Sequence, residues 1–170
     1  MTQRDFTLKW LLYVLALTPF LLLEVYVLPW FPIFGIIPTL LPIVVITVAV
    51  LEGQIAGAGF GLFVGILADA LIPGVPGFAT FGLALLGLLS GTAAQFSIRQ
   101  NILGCMICSA AGLGVIALAR VIAGLLQGTA GLWPLLTVAV PEAVISMLFA
   151  PLIYGAFRWV YLRVPQASLL

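Results

Sequence analysis

Long apolar runs alternate along the chain with short breaks that are rich in proline, glycine and polar residues. A helix needs roughly 20 mainly apolar residues to cross a bilayer, and most of the runs approach that length. Because apolar and polar residues do not alternate within them, the runs predict helices and not barrel strands. The predicted helices cover about residues 8–28, 36–51, 55–72, 78–96, 102–127 and 134–161.

Prolines modify the first two predicted helices. Pro19 predicts a kink in the first, because a proline inside a helix removes a backbone hydrogen bond. In the second, Pro38 falls in the first turn, where proline is tolerated, and Pro42 predicts a bend. Only Glu52, Gly53 and Gln54 separate the second predicted helix from the third, so the turn there is very short.

The amino-acid composition indicates the class of protein. Hydrophobic residues make up 64% of the 170 residues and charged residues 6%, whereas a soluble domain carries roughly 25% charged residues. The sequence therefore predicts an all-α integral membrane protein with six transmembrane helices, which form a single domain over residues 1–170 with no room for a soluble domain. No basic tract is present, so nucleic acid is not an expected partner.

Glycines dominate residues 53–91. Gly53, Gly57, Gly61 and Gly65 recur every four residues, and Asp69 continues the series. On a helix this spacing places the glycines along one ridge, where another helix backbone can approach closely. We expect this glycine ridge to be a helix-packing face that ends on a carboxylate.

A tight turn follows the ridge and returns the chain across the membrane. The turn comprises Pro73, Gly74, Val75, Pro76 and Gly77, and a second glycine-bearing apolar run begins directly after it. The sequence therefore predicts a close-packed helical hairpin with an ionisable group near its tip.

The distribution of basic residues predicts the orientation. With six helices, one side of the membrane holds Arg4, Lys9, Arg99, Arg158 and Arg163, and no loop on the other side holds Lys or Arg. The positive-inside rule then places both termini in the cytoplasm. A five-helix chain would instead separate Arg158 and Arg163 from Arg4 and Lys9.

Four charged residues fall within predicted helices: Glu24, Asp69, Arg120 and Glu142. At about 1.5 Å per residue, Asp69, Glu24 and Arg120 lie about 21, 24 and 27 Å from the cytoplasmic ends of their helices. Glu142 lies about 12 Å below the outer start of the sixth. All four are thus expected in the outer half of the bilayer. Each alone would cost roughly 2.5 kcal/mol or more to insert, so they should meet inside the bundle.

Arg120 is the only cation among these four groups, and three carboxyls compete for it. We expect it to pair first with Asp69, to which the glycine ridge leads, and second with Glu142. Three interpretations stay open: an ion pair that fixes helix register, an outer pocket for a ligand or partner, and a proton or ion relay. The relay is disfavoured because the inner half offers only weakly polar groups.

Catalytic and metal-binding patterns are missing from the sequence. The chain has no histidine, and its two cysteines, Cys105 and Cys108, lie in an apolar run without further ligands. We expect them to pack as small apolar residues. Because no nucleophile–base pair, phosphate loop or metal cluster is present either, we expect neither an enzyme nor a cofactor.

One stretch resembles a known family. Ile37-Pro38-Thr39-Leu40-Leu41 is followed by glycines from Gly57 to Gly65, by Asp69, and by Gly74, Gly77 and Gly87. Over roughly residues 36–91 by motif, and over the whole chain by hydropathy, this is similar to the rod-shape-determining MreD family. The sequence departs from that family at Thr39, where Asp or Asn is common.

The resemblance implies a non-enzymatic subunit of the bacterial cell-elongation machinery in the cytoplasmic membrane, where lipid surrounds it. The implied partner is an MreC-like protein with a single span and a periplasmic domain. The wider assembly includes the actin-like MreB, a RodA-type glycosyltransferase and a class B penicillin-binding protein. The implied fold is a bundle similar to the S-components of energy-coupling-factor vitamin transporters.

That fold similarity supplies the main alternative, a substrate-binding S-component with a vitamin site near the outer face. Such a protein carries an Ala-x-x-x-Ala docking motif on its first helix. Here Ala16 is followed four residues later by Phe20, so the motif is absent. A small secondary carrier is a third class, but the inverted repeats with broken helices that it would show are not evident.

Overall fold

The structure, a computed structural model, describes residues 3–30, 37–71, 77–96, 102–126 and 132–163. The described residues are almost entirely helical. The helices are α1 (Gln3–Leu22), which continues as a π-helical segment (Leu23–Val27), α2 (Leu41–Glu52), α3 (Gln54–Leu71), α4 (Phe78–Phe96), α5 (Ile102–Leu126) and α6 (Leu132–Arg163).

Five of the described helices are long and apolar enough to cross a membrane, as a multi-pass membrane protein requires. The shorter one, α2, has 12 residues and is about 18 Å long, against a hydrocarbon core of about 30 Å. Six full-length passes, as predicted from the sequence, are therefore not confirmed.

The start of α2 corrects two expectations. The helix begins at Leu41 and not near residue 36, so Pro38 precedes it instead of lying in its first turn. Pro42 lies in the first turn and marks no bend within the helix. Proline fits at that position because the first turn of a helix has no intrahelical partner for its N–H groups.

The shortest helix is also the centre of the bundle. Every residue of α2 from Leu41 to Leu51 is buried, and the helix contacts α3, α4, α5 and α6. A helix that is apolar on all sides is expected in such a place, because each face needs an apolar neighbour. The other helices surround α2 and present large apolar side chains outwards, as on Leu11, Leu118 and Leu148.

The π-helical segment places a carboxylate inside the bundle. The Leu28 N–H donates to the Leu23 carbonyl at 2.8 Å, one residue further back than in an α-helix. Within the segment Glu24 is 8% exposed, whereas Tyr26 and Val27 face outwards. This local change of pitch follows Pro19, where the sequence predicts a kink.

One end of the bundle is held by an ion pair that the sequence analysis did not single out. Lys9 on α1 pairs with Glu52 at the end of α2, and the Tyr13 hydroxyl donates to the same carboxylate at 2.8 Å. Tyr13 also stacks on Phe157 of α6, with ring centroids 6.0 Å apart. We call this the basic end, because Lys9, Arg158 and Arg163 lie there.

Candidate functional site

The glycine ridge of α3 packs against the backbones of α4 and α2. A Cβ atom built at Gly61 would lie 2.8 Å from the carbonyl carbon of Leu83 on α4 and 3.0 Å from Val45 on α2. One at Gly65 would lie 2.9 Å from the backbone nitrogen of Thr80. These distances are shorter than carbon atoms tolerate, so only glycine allows the two helices to approach this closely.

The contact is reciprocal along the whole hairpin. A Cβ atom at Gly57 would lie 2.9 Å from the Gly87 carbonyl oxygen, and one at Gly87 would lie 2.6 Å from the Gly57 carbonyl carbon. Near the turn between α2 and α3, Gly53 adopts a φ of 95° and Gly91 approaches its carbonyl carbon in the same way. The hairpin therefore depends on glycines from both of its helices.

Asp69 closes the opposite end of this hairpin. Its Oδ1 accepts from the Ala79 N–H at 3.2 Å, and its Oδ2 accepts from the Thr80 N–H at 3.0 Å and the Thr80 hydroxyl at 2.5 Å. These amides belong to the first turn of α4, where N–H groups have no helical partner and a negative charge is favourable. Of the predicted turn, Pro73, Gly74 and Pro76 lie outside the described residues, and Gly77 has a φ of 82°.

The first-choice pairing of Asp69 with Arg120 is wrong. Arg120 on α5 instead binds Glu142 on α6, with 2.5 Å between Nη1 and Oε1. Glu142 was the second choice from the sequence. The side chain of Arg120 is 48% exposed and that of Glu142 is 12% exposed, so the carboxylate lies beneath the guanidinium. Asp69 has no need of the arginine because the start of α4 already supplies it with three donors.

Glu24 also finds backbone partners. Its Oε2 accepts from the N–H groups of Leu40 at 2.9 Å and Leu41 at 2.7 Å. These two amides open α2, so the carboxylate caps the buried N-terminus of the central helix. The preceding amide, that of Thr39, donates to the Ser146 hydroxyl of α6 at 3.0 Å. The start of α2 is thus fixed by α6 and by the π-helical segment together.

The structure brings three of the four predicted charged residues into one neighbourhood. Glu24 binds the Leu40 and Leu41 amides, and Thr39, directly before them, lines one cavity together with Arg120 and Glu142, whereas the partners of Asp69 lie on α4. We call Glu24, Arg120 and Glu142 the charged triad. The triad connects the π-helical segment, the start of α2, α5 and α6.

The space beside the triad is small. A cavity of about 10 Å³ is lined by residues that include Thr39, Arg120 and Glu142, and a cavity of roughly 10–15 Å³ is needed to hold one water. A larger cleft of about 370 Å³ lies between α1 and α3, lined by Trp10, Val14, Gly59, Phe60 and Phe63. That cleft is apolar and lies towards the basic end, away from the triad.

Cys105 and Cys108 are free and buried in α5. The Cys105 sulfur lies 3.4 Å from the Thr47 hydroxyl of α2 and 3.9 Å from that of Ser109. Within the parts of the chain that the structure describes, no group of three or more His, Cys, Asp or Glu side chains is arranged to hold a metal ion. Cys105 takes part in the contact between α5 and α2, and Cys108 is buried beside it along α5.

Sequence reasoning missed the partners that hold these charges. Thr80 and Ser146 gave no separate signal, because a hydroxyl in an apolar run is common and its direction is unknown. Glu52 did give a signal in the sequence: it falls in the predicted turn after the second predicted helix, on the same predicted side as Lys9, with which it pairs. Opposite charges on one side of the membrane are natural candidates for an ion pair.

A double-mutant cycle is expected to couple Arg120 to Glu142 and not to Asp69. Unfolding in detergent should give a coupling energy of about 0.5–3 kcal/mol between Arg120→Leu and Glu142→Leu, because the two groups are in contact. Arg120→Leu and Asp69→Asn should add within about 0.5 kcal/mol, because they share no partner. Strong coupling of Arg120 to Asp69, with none to Glu142, would contradict the observed pairing.

Comparison of the chain with protein families, curated proteins and solved structures finds no match.

Proposed function

We propose that this chain is a non-enzymatic membrane scaffold of the bacterial cell-elongation machinery, similar to the MreD family. In this proposal it lies in the cytoplasmic membrane with both termini in the cytoplasm and binds an MreC-like single-span protein. Through that partner it joins a RodA-type glycosyltransferase and a class B penicillin-binding protein, and it regulates peptidoglycan synthesis.

The observation that carries the proposal is the structural role of residues in the motif that resembles the MreD family. Gly57, Gly61 and Gly65 close on neighbouring backbones, and Asp69 caps α4. These four residues hold the hairpin together, and none of the four is among the described residues that line the cleft between α1 and α3. Such a motif suits a protein that presents a fixed surface to partners better than one that binds and releases a substrate.

The space beside the charged triad also favours a scaffold over a vitamin-binding S-component. Small-molecule pockets measure roughly 300–1,000 Å³, and the cavity at Arg120 and Glu142 measures about 10 Å³. The cleft between α1 and α3 is large enough, but its lining is apolar and lacks the polar groups that orient a vitamin.

The proposed topology has six crossings. Lys9, Arg158 and Arg163 lie at the basic end of the bundle, which the positive-inside rule assigns to the cytoplasm. In this topology α2 and the residues before it make the second crossing together. The non-helical residues 37–40 are tolerated at membrane depth because the side chains of Ser146 and Glu24, and not lipid, accept hydrogen bonds from the N–H groups of Thr39 and Leu40.

Co-purification of the tagged full-length chain from its native membrane tests the proposal. The expected partner is a single-span protein with a periplasmic domain, recovered together with a glycosyltransferase and a penicillin-binding protein. Gly61→Leu serves as the control, because a hairpin that cannot close should lose the partners while the chain still inserts. Recovery of an ATPase pair with a transmembrane coupling subunit would contradict the scaffold and favour the S-component.

A further inference from the structure

Arg120 lies far along α5. It is 18 residues beyond Ile102, so about 27 Å from the start of the helix, against a hydrocarbon core of about 30 Å, and it lies towards the end of the bundle opposite the basic end. On the neighbouring helix, Trp133 is 79% exposed near the start of α6. Exposed tryptophans are typical of the membrane interface. The long side chain of Arg120 can therefore reach the level of the lipid headgroups.

Among the residues that the structure describes, the guanidinium has one partner. It donates from Nη1 to Glu142, and nearly half of the side chain stays exposed. A guanidinium carries five N–H donors in a planar fork, and its second edge can bind another oxyanion. In lipid, these remaining donors need an acceptor that the surroundings supply.

A phosphate can approach Arg120 only from the exposed side of its side chain, because the cavity beside it measures about 10 Å³ and is too small to hold one. Arg120 stands at a crevice between α5 and α6 that is lined by three alanines, Ala117, Ala139 and Ala143, with Thr39 also in the lining. Glu24 does not compete strongly for the arginine, since the amides of Leu40 and Leu41 already hold its carboxylate. Glu142 orients the guanidinium and also competes with any second anion.

From this geometry we propose that Arg120 binds a phosphate group at the membrane surface, supplied by the phosphodiester of a phospholipid. Phosphate oxygens are the acceptors nearest to an arginine at this depth, and they match the guanidinium fork. The bound lipid would seal the crevice between α5 and α6 and tie the charged triad to the bilayer. This inference uses the membrane location alone and does not depend on which proteins the chain binds.

Native mass spectrometry of the full-length protein in detergent tests the proposal. The probes are phosphatidylglycerol and a galactolipid with the same acyl chains but no phosphate. Wild type is expected to retain phosphatidylglycerol more tightly. The double variant R120Q/E142Q, which buries no unpaired charge, should bind phosphatidylglycerol about tenfold more weakly, as expected for the loss of a charge-assisted hydrogen bond. Its galactolipid binding should not change.

Two single variants give opposite expectations. Glu142→Gln removes the competing carboxylate and should tighten phosphatidylglycerol binding, whereas Arg120→Lys keeps the charge but loses the fork and should weaken it. Arg163→Gln is the matched control at the basic end, where the guanidinium lies 3.9 Å over the Trp159 ring. It should leave the Arg120-dependent difference between the two lipids unchanged.

Two results would overturn the proposal. One is equal phosphatidylglycerol affinity of wild type, R120Q/E142Q and Arg120→Lys. The other is displacement of the lipid by millimolar inorganic phosphate, which would identify a soluble phosphate as the ligand instead of a phospholipid. Retention of the lipid in the presence of inorganic phosphate supports the assignment.

Discussion

Glu24→Leu is expected to destabilise the protein more than any other single change in the charged triad. The substitution leaves the amides of Leu40 and Leu41 without their acceptor, and both residues are at most 2% exposed. A buried donor without a partner costs about 1–3 kcal/mol, so the loss of both is expected to cost on the order of 2–6 kcal/mol. The damage falls on α2, which every other part of the bundle surrounds.

Glu24→Gln is the matched control, because it keeps a carbonyl oxygen of the same reach and removes only the negative charge. It should cost about 0.3–1 kcal/mol, the typical value of a negative charge at a helix N-terminus. Unfolding in detergent measures both variants, and hydrogen exchange at Leu40 and Leu41 localises the effect. Equal stability of the Leu and Gln variants, with unchanged exchange at these amides, would show that the carboxylate does not cap α2.

Gly61→Ala and Gly59→Ala are expected to change stability in opposite directions. Gly61 faces the backbone of Leu83 on α4, and a Cβ atom there would force the two helices apart. Overpacking of this kind costs roughly 1–3 kcal/mol. Gly59 lies two residues earlier on the same helix, and nothing lies within 4 Å of the Cβ atom built there.

At Gly59 the intrinsic preference of a helix for alanine decides the outcome. Replacing an exposed helical glycine by alanine is expected to stabilise by up to about 1 kcal/mol. Unfolding of the two variants in the same detergent gives the comparison, and Gly61→Leu against Gly59→Leu enlarges the difference. If Gly61→Ala were as stable as Gly59→Ala, the ridge would face lipid and the hairpin would not be held by glycine packing.

The sequence predicted where the helices lie because apolar length is a local property. The predicted bounds of the third to fifth helices, about 55–72, 78–96 and 102–127, differ by at most one residue from α3, α4 and α5. The start of α2 was placed too early because the apolar pattern runs on through residues 36–40. At the observed start of α2, the amides of Leu40 and Leu41 bind Glu24, which comes from another part of the chain.

For the charged residues, too, the sequence predicted position along a helix but not the partner on another helix. Counting residues placed Arg120 and Glu142 in the same half of the bilayer, because the rise per residue of a helix is fixed. Depth does not give the rotation of one helix against another, so the choice between Asp69 and Glu142 could not be made from the sequence. A list of charged side chains also leaves out backbone amides. The amides at the start of α2 bind Glu24, and those at the start of α4 bind Asp69.

By itself, the sequence determined that the chain is helical and strongly apolar and that glycines recur every four residues before Asp69. These properties follow from residue type and spacing along one helix. Only the tertiary structure decided that the shortest helix lies at the centre, that Asp69 caps α4, and that Arg120 meets Glu142. Those outcomes depend on how separate helices turn towards each other, and that is set by packing and hydrogen bonding between distant segments.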